Sequence, residues 1–223
     1  DIFVWQDGTT YRATRGPAWT TSTARGTGAG TSELTTAGGI LVNANAITNG
    51  PAASRGTYVG SIRTNASSTV DYKFGSAASG GGYISFGVWN AHNQTLIRTT
   101  GSDSTASWSY ASTTVRNSNN SANNSASFLM GLSGSPVQFD FGQRIQSPAA
   151  GYALIHVYLD GAATGAARSG VLGGVDGYAR ALYNADPGIG WHTLQCRENA
   201  SATANFIAGG VGADMQFSLS FLG

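Results

Sequence analysis

Apolar and polar residues alternate along most of this chain in short runs, and clusters of Gly, Asn, Ser and Pro separate the runs. Alternation of this kind puts one face of an extended segment in a core and the other in water. The C-terminal run is the cleanest, with Met215, Phe217, Leu219 and Phe221 on one side and Gln216, Ser218 and Ser220 on the other. Residues 152–160 repeat it: Ala153, Ile155, Val157 and Leu159 oppose His156 and Asp160. Over 83–89, Ile84, Phe86 and Val88 alternate with Tyr83, Ser85 and Trp89, and Val137, Phe139 and Phe141 alternate with Gln138 and Asp140. The pattern predicts further strands at 2–5, 9–14, 39–43, 56–64, 68–74, 94–100, 106–115, 126–132, 191–197 and 203–208. Asp7-Gly8 lies between two of these and reads as a hairpin turn, since Gly accepts the positive φ such a turn requires.

So many short strands imply an all-β fold, an antiparallel β-sandwich of the jelly-roll-like kind. Residues 1–223 read as one domain, with 1–55 as an N-terminal strand and loop subregion. Three segments lack strong patterning and read as long loops: 22–39, 116–125 (dense in Asn and Ser) and 161–190 (dense in Gly and Ala). Residues 177–184 are the best candidate for a short helical turn.

Composition sharpens this picture. Hydrophobic residues make up 41% of the 223 positions but charged residues only 10%, against about 25% in an ordinary domain. The polar surface is therefore built from Ser, Thr, Asn and Gly, short groups that lose little entropy on ordering and suit tight packing between subunits. The arginines are scattered, Lys73 is the one lysine, and the net charge is +1, so nothing resembles a nucleic-acid footprint. Cys196 is the single cysteine. It can form no intrachain disulfide and reads as a buried small apolar residue. No apolar run approaches the length of a membrane-spanning helix. No signal peptide is visible and residue 1 is not Met, so Asp1 is read as an internal or processed start that other residues precede.

Candidate chemistry is sparse. Asp176 and Asp186 are the carboxylates most open to pairing, in the manner of a glycosidase. His192 and Cys196 share a strand but sit about 13 Å apart, too far for one metal ion. No nucleophile elbow, phosphate-binding loop or dinucleotide fingerprint is present. Asn65, Asn93, Asn119, Asn123 and Asn199 fit the glycosylation rule, as chance would produce in a chain this rich in Asn, Ser and Thr. These observations predict a protein that is not an enzyme and takes no cofactor or metal. Trp108 and Tyr110 share a strand face that leads into an Asn-rich segment. Aromatic faces and amides together suit hydroxyl-rich ligands. Trp108, Tyr110, Asn117, Asn119, Asn120, Asn123 and Asn124 are accordingly the candidate glycan-contact residues.

A resemblance adds to this. The run Gly39-Ile40-Leu41-Val42-Asn43-Ala44-Asn45-Ala46-Ile47-Thr48, with Arg55-Gly56-Thr57-Tyr58-Val59-Gly60-Ser61-Ile62-Arg63-Thr64-Asn65, resembles a module of tail-fibre-like and other virion surface proteins of tailed bacteriophages and prophages. The opening Asp1-Ile2-Phe3-Val4-Trp5, the segments Ala18-Trp19-Thr20 and Ala24-Arg25-Gly26-Thr27-Gly28-Ala29-Gly30-Thr31, and Gly87-Val88-Trp89-Asn90-Ala91 fit it too. The likeness covers the first half of the chain well and the second half loosely. It implies a structural protein on the virion exterior, most simply a tail fibre or spike domain that recognises the host surface as a homotrimer. Its partners would then be itself, other virion proteins and a host cell-surface glycan, with no nucleic acid and no membrane insertion. The alternatives are a capsid decoration or head-fibre protein and a polysaccharide-degrading tail spike. The resemblance carries over no catalytic residue.

Overall fold

In the computed structural model the alternating runs form three sheets. The structure describes residues 1–209 and 214–223, with 165–169 described through their backbone alone. The strands are β1 (Ile2–Asp7), β2 (Thr10–Arg15), β3 (Leu34–Ala37), β4 (Ile40–Asn43), β5 (Thr57–Ile62), β6 (Tyr72–Phe74), β7 (Ala77–Ala78), β8 (Ile84–Phe86), β9 (Val88–Asn90) and β10 (Leu96–Asp103). They continue as β11 (Ser107–Tyr110), β12 (Arg116–Asn117), β13 (Ser125–Met130), β14 (Val137–Gln146), β15 (Tyr152–Leu159), β16 (Ala162–Leu172), β17 (Asp176–Ala185), β18 (Gly190–Ala200), β19 (Ala204–Ile207) and β20 (Met215–Leu222). A 3-10 turn at Ser118–Asn120 is the one helical element among the described residues.

The pairing scheme defines the fold. β15 pairs with β16, β14 with β17, β13 with β18 and β10 with β20, all antiparallel. Successive pairs fall alternately on two sheets, giving β10-β20-β14-β17 on the first and β16-β15-β18-β13 on the second. A nested antiparallel ribbon wrapped this way onto two sheets is a jelly roll. Short strands extend both sheets at one side: β7 joins β10 in parallel, and β8 joins β13 in parallel with β6 beyond it. The all-β sandwich expected from periodicity is what forms.

The inward positions are the large apolar residues of the alternating runs. Phe139, Phe141, Phe217, Phe221, Ile155, Leu194 and Phe128 are all at most 1% exposed and belong to one continuous core. Burial of each such side chain contributes roughly 1.5–3 kcal/mol, so these few strands supply most of the driving force. Cys196 lies on the same inward face as Leu194 and is buried, as expected.

Residues 161–190 are not a loop, and 177–184 are not helical: β16 and β17 occupy them. Their inward positions are too small to register as a hydrophobic stripe. On β17, Ala179, Ala181 and Tyr183 point inward, while Tyr178, Arg180 and Leu182 point out. Ala181 lies opposite Phe141 and Gly177 opposite Ile145, so small residues make room for large ones across the ladder. The predicted strand at 83–89 is two strands on different sheets, broken at Gly87, whose N–H donates to Asp71 O and whose C=O accepts from Arg63 N–H. The predicted strand at 106–115 ends at Tyr110. The predicted loop 22–39 contains β3, which folds back on β4 through Gly38-Gly39 with φ of 57° and 82°. Two successive positive φ values are the reason both turn residues are Gly. The predicted loop 116–125 likewise holds β12 and the 3-10 turn.

The third sheet runs β2-β1-β5-β4-β3, with β9 also on β5, and its Phe3, Tyr58 and Trp89 join the sandwich core. A buried polar cluster fixes it at the end of the sandwich. Arg25 donates to Asp1 Oδ2 at 2.7 Å, to Tyr58 Oη at 3.1 Å and to Gly131 O at 2.6 Å. Ser61 Oγ and Trp19 Nε1 also donate to Asp1 Oδ1, at 2.6 and 3.0 Å. Because Gly131 follows β13, this arginine ties the N-terminal sheet to the sandwich.

Candidate functional site

The Trp108–Asn124 edge assembles around two inward carboxylates that pattern reading missed. Glu198, on the buried face of β18, accepts from Trp108 Nε1 at 2.7 Å, Arg116 Nε at 2.8 Å and Ser118 Oγ at 3.3 Å. Burial raises its pKa above the ordinary carboxylate value, and the donors from Trp108 and Arg116 offset only part of that. Asp103, at the end of β10, accepts from Asn119 Nδ2 at 2.8 Å, Asn124 Nδ2 at 3.1 Å, and the N–H groups of Thr105 and Gly80 at 2.9 and 3.0 Å. Burial works against the Asp103 charge, but the donors from Asn119, Thr105 and Asn124 outweigh it and hold the pKa below the ordinary value. The signal was in the sequence: Glu198 continues the alternation of Leu194 and Cys196 and so had to face inward.

This arrangement redefines the candidate residues. Trp108 stacks on Phe206 at 6.2 Å and its indole N–H serves Glu198. Tyr110 donates its hydroxyl to Thr114 O and carries the Arg116 guanidinium 3.8 Å over its ring. Asn124 is buried, and its amide and that of Asn119 are taken up by Asp103. Asn117 is half-buried in β12, while Asn120 and Asn123 are exposed. Most of these groups therefore brace the 116–125 segment against β10 and β18, and the aromatic faces are partly covered.

The surface with free polar groups lies elsewhere, on the outer face of the first sandwich sheet. Three shallow depressions of about 260, 430 and 500 Å³ run across β17, β14, β20 and β10. They share Ser218, Gln216 and Arg98 among their walls and form one trough. Strand register sets its floor: Asp140 sits beside Ser218 and Ser218 beside Thr100, while Gln138 sits beside Ser220 and Ser220 beside Arg98. At one end Tyr178, 57% exposed, lies over β14, where Gly142 leaves room that a Cβ would fill against the Tyr178 hydroxyl. At the other end stands Phe74, 54% exposed. Burial raises the Tyr178 phenol above its ordinary pKa, and Asp140 adds to this, so the hydroxyl stays a donor. Arg180 is paired with Asp140, whereas Arg98 has no acidic partner in ion-pair range among the described residues. Amides, hydroxyls and a free guanidinium between two aromatic rings can hydrogen-bond and stack on a polyhydroxylated chain.

The other candidates do not converge. Asp176 pairs with Arg144 and Asp186 accepts from Gly134 N–H, and the two stand at opposite ends of β17, about 30 Å apart. Among the described residues no three His, Cys, Asp or Glu side chains come together as a metal site. A scan against known family models finds no match to this chain, and no curated protein matches it.

Proposed function

We propose that this chain is a structural domain on the exterior of a tailed-phage particle, of the tail fibre or spike kind, that recognises a host-surface glycan and assembles as a homotrimer. The observation that carries the recognition reading is the trough, in which four adjacent strands present amides, hydroxyls and Arg98, unbonded to other side chains among the described residues, between Tyr178 and Phe74. The virion assignment rests on the resemblance in the first half of the chain. The jelly roll is consistent with both, since viral surface and lectin domains share it, but a fold alone does not fix a function. The charge-poor surface of short side chains supports close packing between copies.

The test is adsorption. Purified chain competes with phage for host cells, and the double variant Arg98→Ala/Tyr178→Ala competes at least about tenfold less well, the equivalent of roughly 1.4 kcal/mol. Its melting temperature stays near that of the parent, because both side chains are on the wet face. Undiminished competition by this variant rejects the trough. A monomeric mass in sedimentation rejects the trimer, and hundreds of copies on the head lattice would make this a decoration protein. Release of reducing ends from host polysaccharide would make it a depolymerase.

A further inference from the structure

A second cleft, of about 420 Å³, opens where the N-terminal sheet meets the end of the sandwich. It involves none of the trough residues. Trp19 and Trp191 stand in its walls with Ile62 and Leu129, and Arg15 and Arg63 line it as well. Its volume falls within the roughly 300–1,000 Å³ typical of small-ligand sites.

The charges in this cleft are not balanced. Asp1 contributes a carboxylate, but that group is fully engaged by Arg25, Ser61 and Trp19. The Asp1–Arg25 pair is therefore neutral toward a ligand. Arg15 and Arg63 remain; neither has an acid in ion-pair range among the described residues, and Asp71, which does not line the cleft, acts on Arg63 only from longer range. The Arg63 guanidinium carbon lies over the Trp191 ring, 4.0 Å from its centroid. A guanidinium held over a ring is attracted by the ring face while its N–H groups can still meet a two-oxygen acceptor. Desolvation lowers the Arg63 pKa from the ordinary value and Asp71 offsets part of that; a guanidinium stays protonated in a protein, so Arg63 remains a cation.

The walls are held in place before any ligand arrives. Trp191 N–H donates to Ser22 O at 2.8 Å, Thr21 bridges to Ala24, and Arg25 anchors the same loop to Gly131 O. Ordering costs that usually erode affinity are thus largely met by the fold. Two cations beside indole, Ile62 and Leu129 surfaces call for a ligand with a carboxylate at one end and an apolar ring face at the other. Bare phosphate would satisfy the cations and waste the apolar walls.

We propose that this cleft binds a carboxylated sugar through Arg63 and Arg15, separately from the trough. Calorimetric titration of the full chain with tetragalacturonate and with N-acetylneuraminic acid, beside their methyl esters and inorganic phosphate, tests it. We expect at least one acid to bind, its ester to bind at least about tenfold more weakly, and Arg63→Gln and Arg15→Gln each to weaken the acid at least about fivefold. Both arginines are exposed, so unchanged melting temperatures verify the fold of each variant. Arg98→Ala leaves this affinity unchanged, which separates the cleft from the trough. Equal binding of acid and ester, equal competition by phosphate, unaltered affinity in Arg63→Gln, or no binding of either acid overturns the proposal.

Discussion

Replacing Arg25 with alanine lowers the stability of this chain by about 3–5 kcal/mol, the usual cost of stranding one partner of a buried ion pair. The Asp1 carboxylate and the Arg25 guanidinium are both nearly excluded from solvent, with side chains 0% and 8% exposed. Removing the cation leaves Asp1 with two neutral donors, Ser61 and Trp19, and leaves Tyr58 Oη and Gly131 O each short of one donor. For a chain of this length each kcal/mol moves the melting temperature by roughly 2–4 °C, so a drop near 10 °C is expected. Arg25→Lys recovers little of it. A lysine ammonium is a point charge and cannot reach Asp1, Tyr58 and Gly131 at once as the guanidinium fork does. The loss also has a location. Arg25 joins the N-terminal sheet to the residue after β13, so Arg25→Ala exposes β1 and β5 amides to hydrogen exchange before those of β14 and β20. A melting temperature within about 2 °C of the parent, or uniform protection across the three sheets, would show that the cluster does not hold the sheet in place.

Much of the fold was legible because its core strands carry large side chains at alternate positions. Met215 to Phe221, Val137 to Phe141 and Ala153 to Leu159 are strands with the inward faces expected of them. β16 and β17 were not legible, since Ala179, Ala181 and Gly177 have almost no hydrophobic signal of their own. They acquire meaning only across the ladder, where Ala181 faces Phe141, Ala179 faces Gln143 and Gly177 faces Ile145, some 32 to 40 positions earlier. The two-residue strands β7 and β12 exist only as partners of longer ones. The candidate site divides in the same way. Gln216, Ser218, Ser220, Gln138 and Asp140 were read as wet positions, and they are. Their assembly into a trough follows from β20 entering between β10 and β14, a Greek-key return that periodicity does not encode. The bonding of the Asn-rich segment was hidden for a related reason: Asn119 and Asn124 answer Asp103, 16 to 21 positions back, and Trp108 answers Glu198, 90 positions on.

That last contact carries the second large effect. Glu198→Ala removes the acceptor of Trp108 Nε1 and of Ser118 Oγ and leaves Arg116 facing a cavity, which costs about 3–5 kcal/mol. The carboxylate side chain is 0% exposed and the Arg116 side chain 24%, so part of the orphaned charge can reach water and the loss should lie toward the lower figure. Glu198→Gln is milder, because an amide oxygen can still accept from Trp108. The comparison of parent with Glu198→Gln also has a pH signature. Burial raises the folded-state pKa of Glu198 above its ordinary 4.5, so between those two values the folded chain holds more protons than the unfolded one. Stability from this group is therefore fully present below pH 4.5 and is lost as pH rises through the raised value. Glutamine has no proton to give up, so the parent should lose ground to Glu198→Gln as pH increases across that window. Parallel melting curves for the two proteins from acid to neutral pH would mean that Glu198 titrates alike in both states. An unchanged melting temperature in Glu198→Ala would mean that the Trp108–Arg116 edge stands without it.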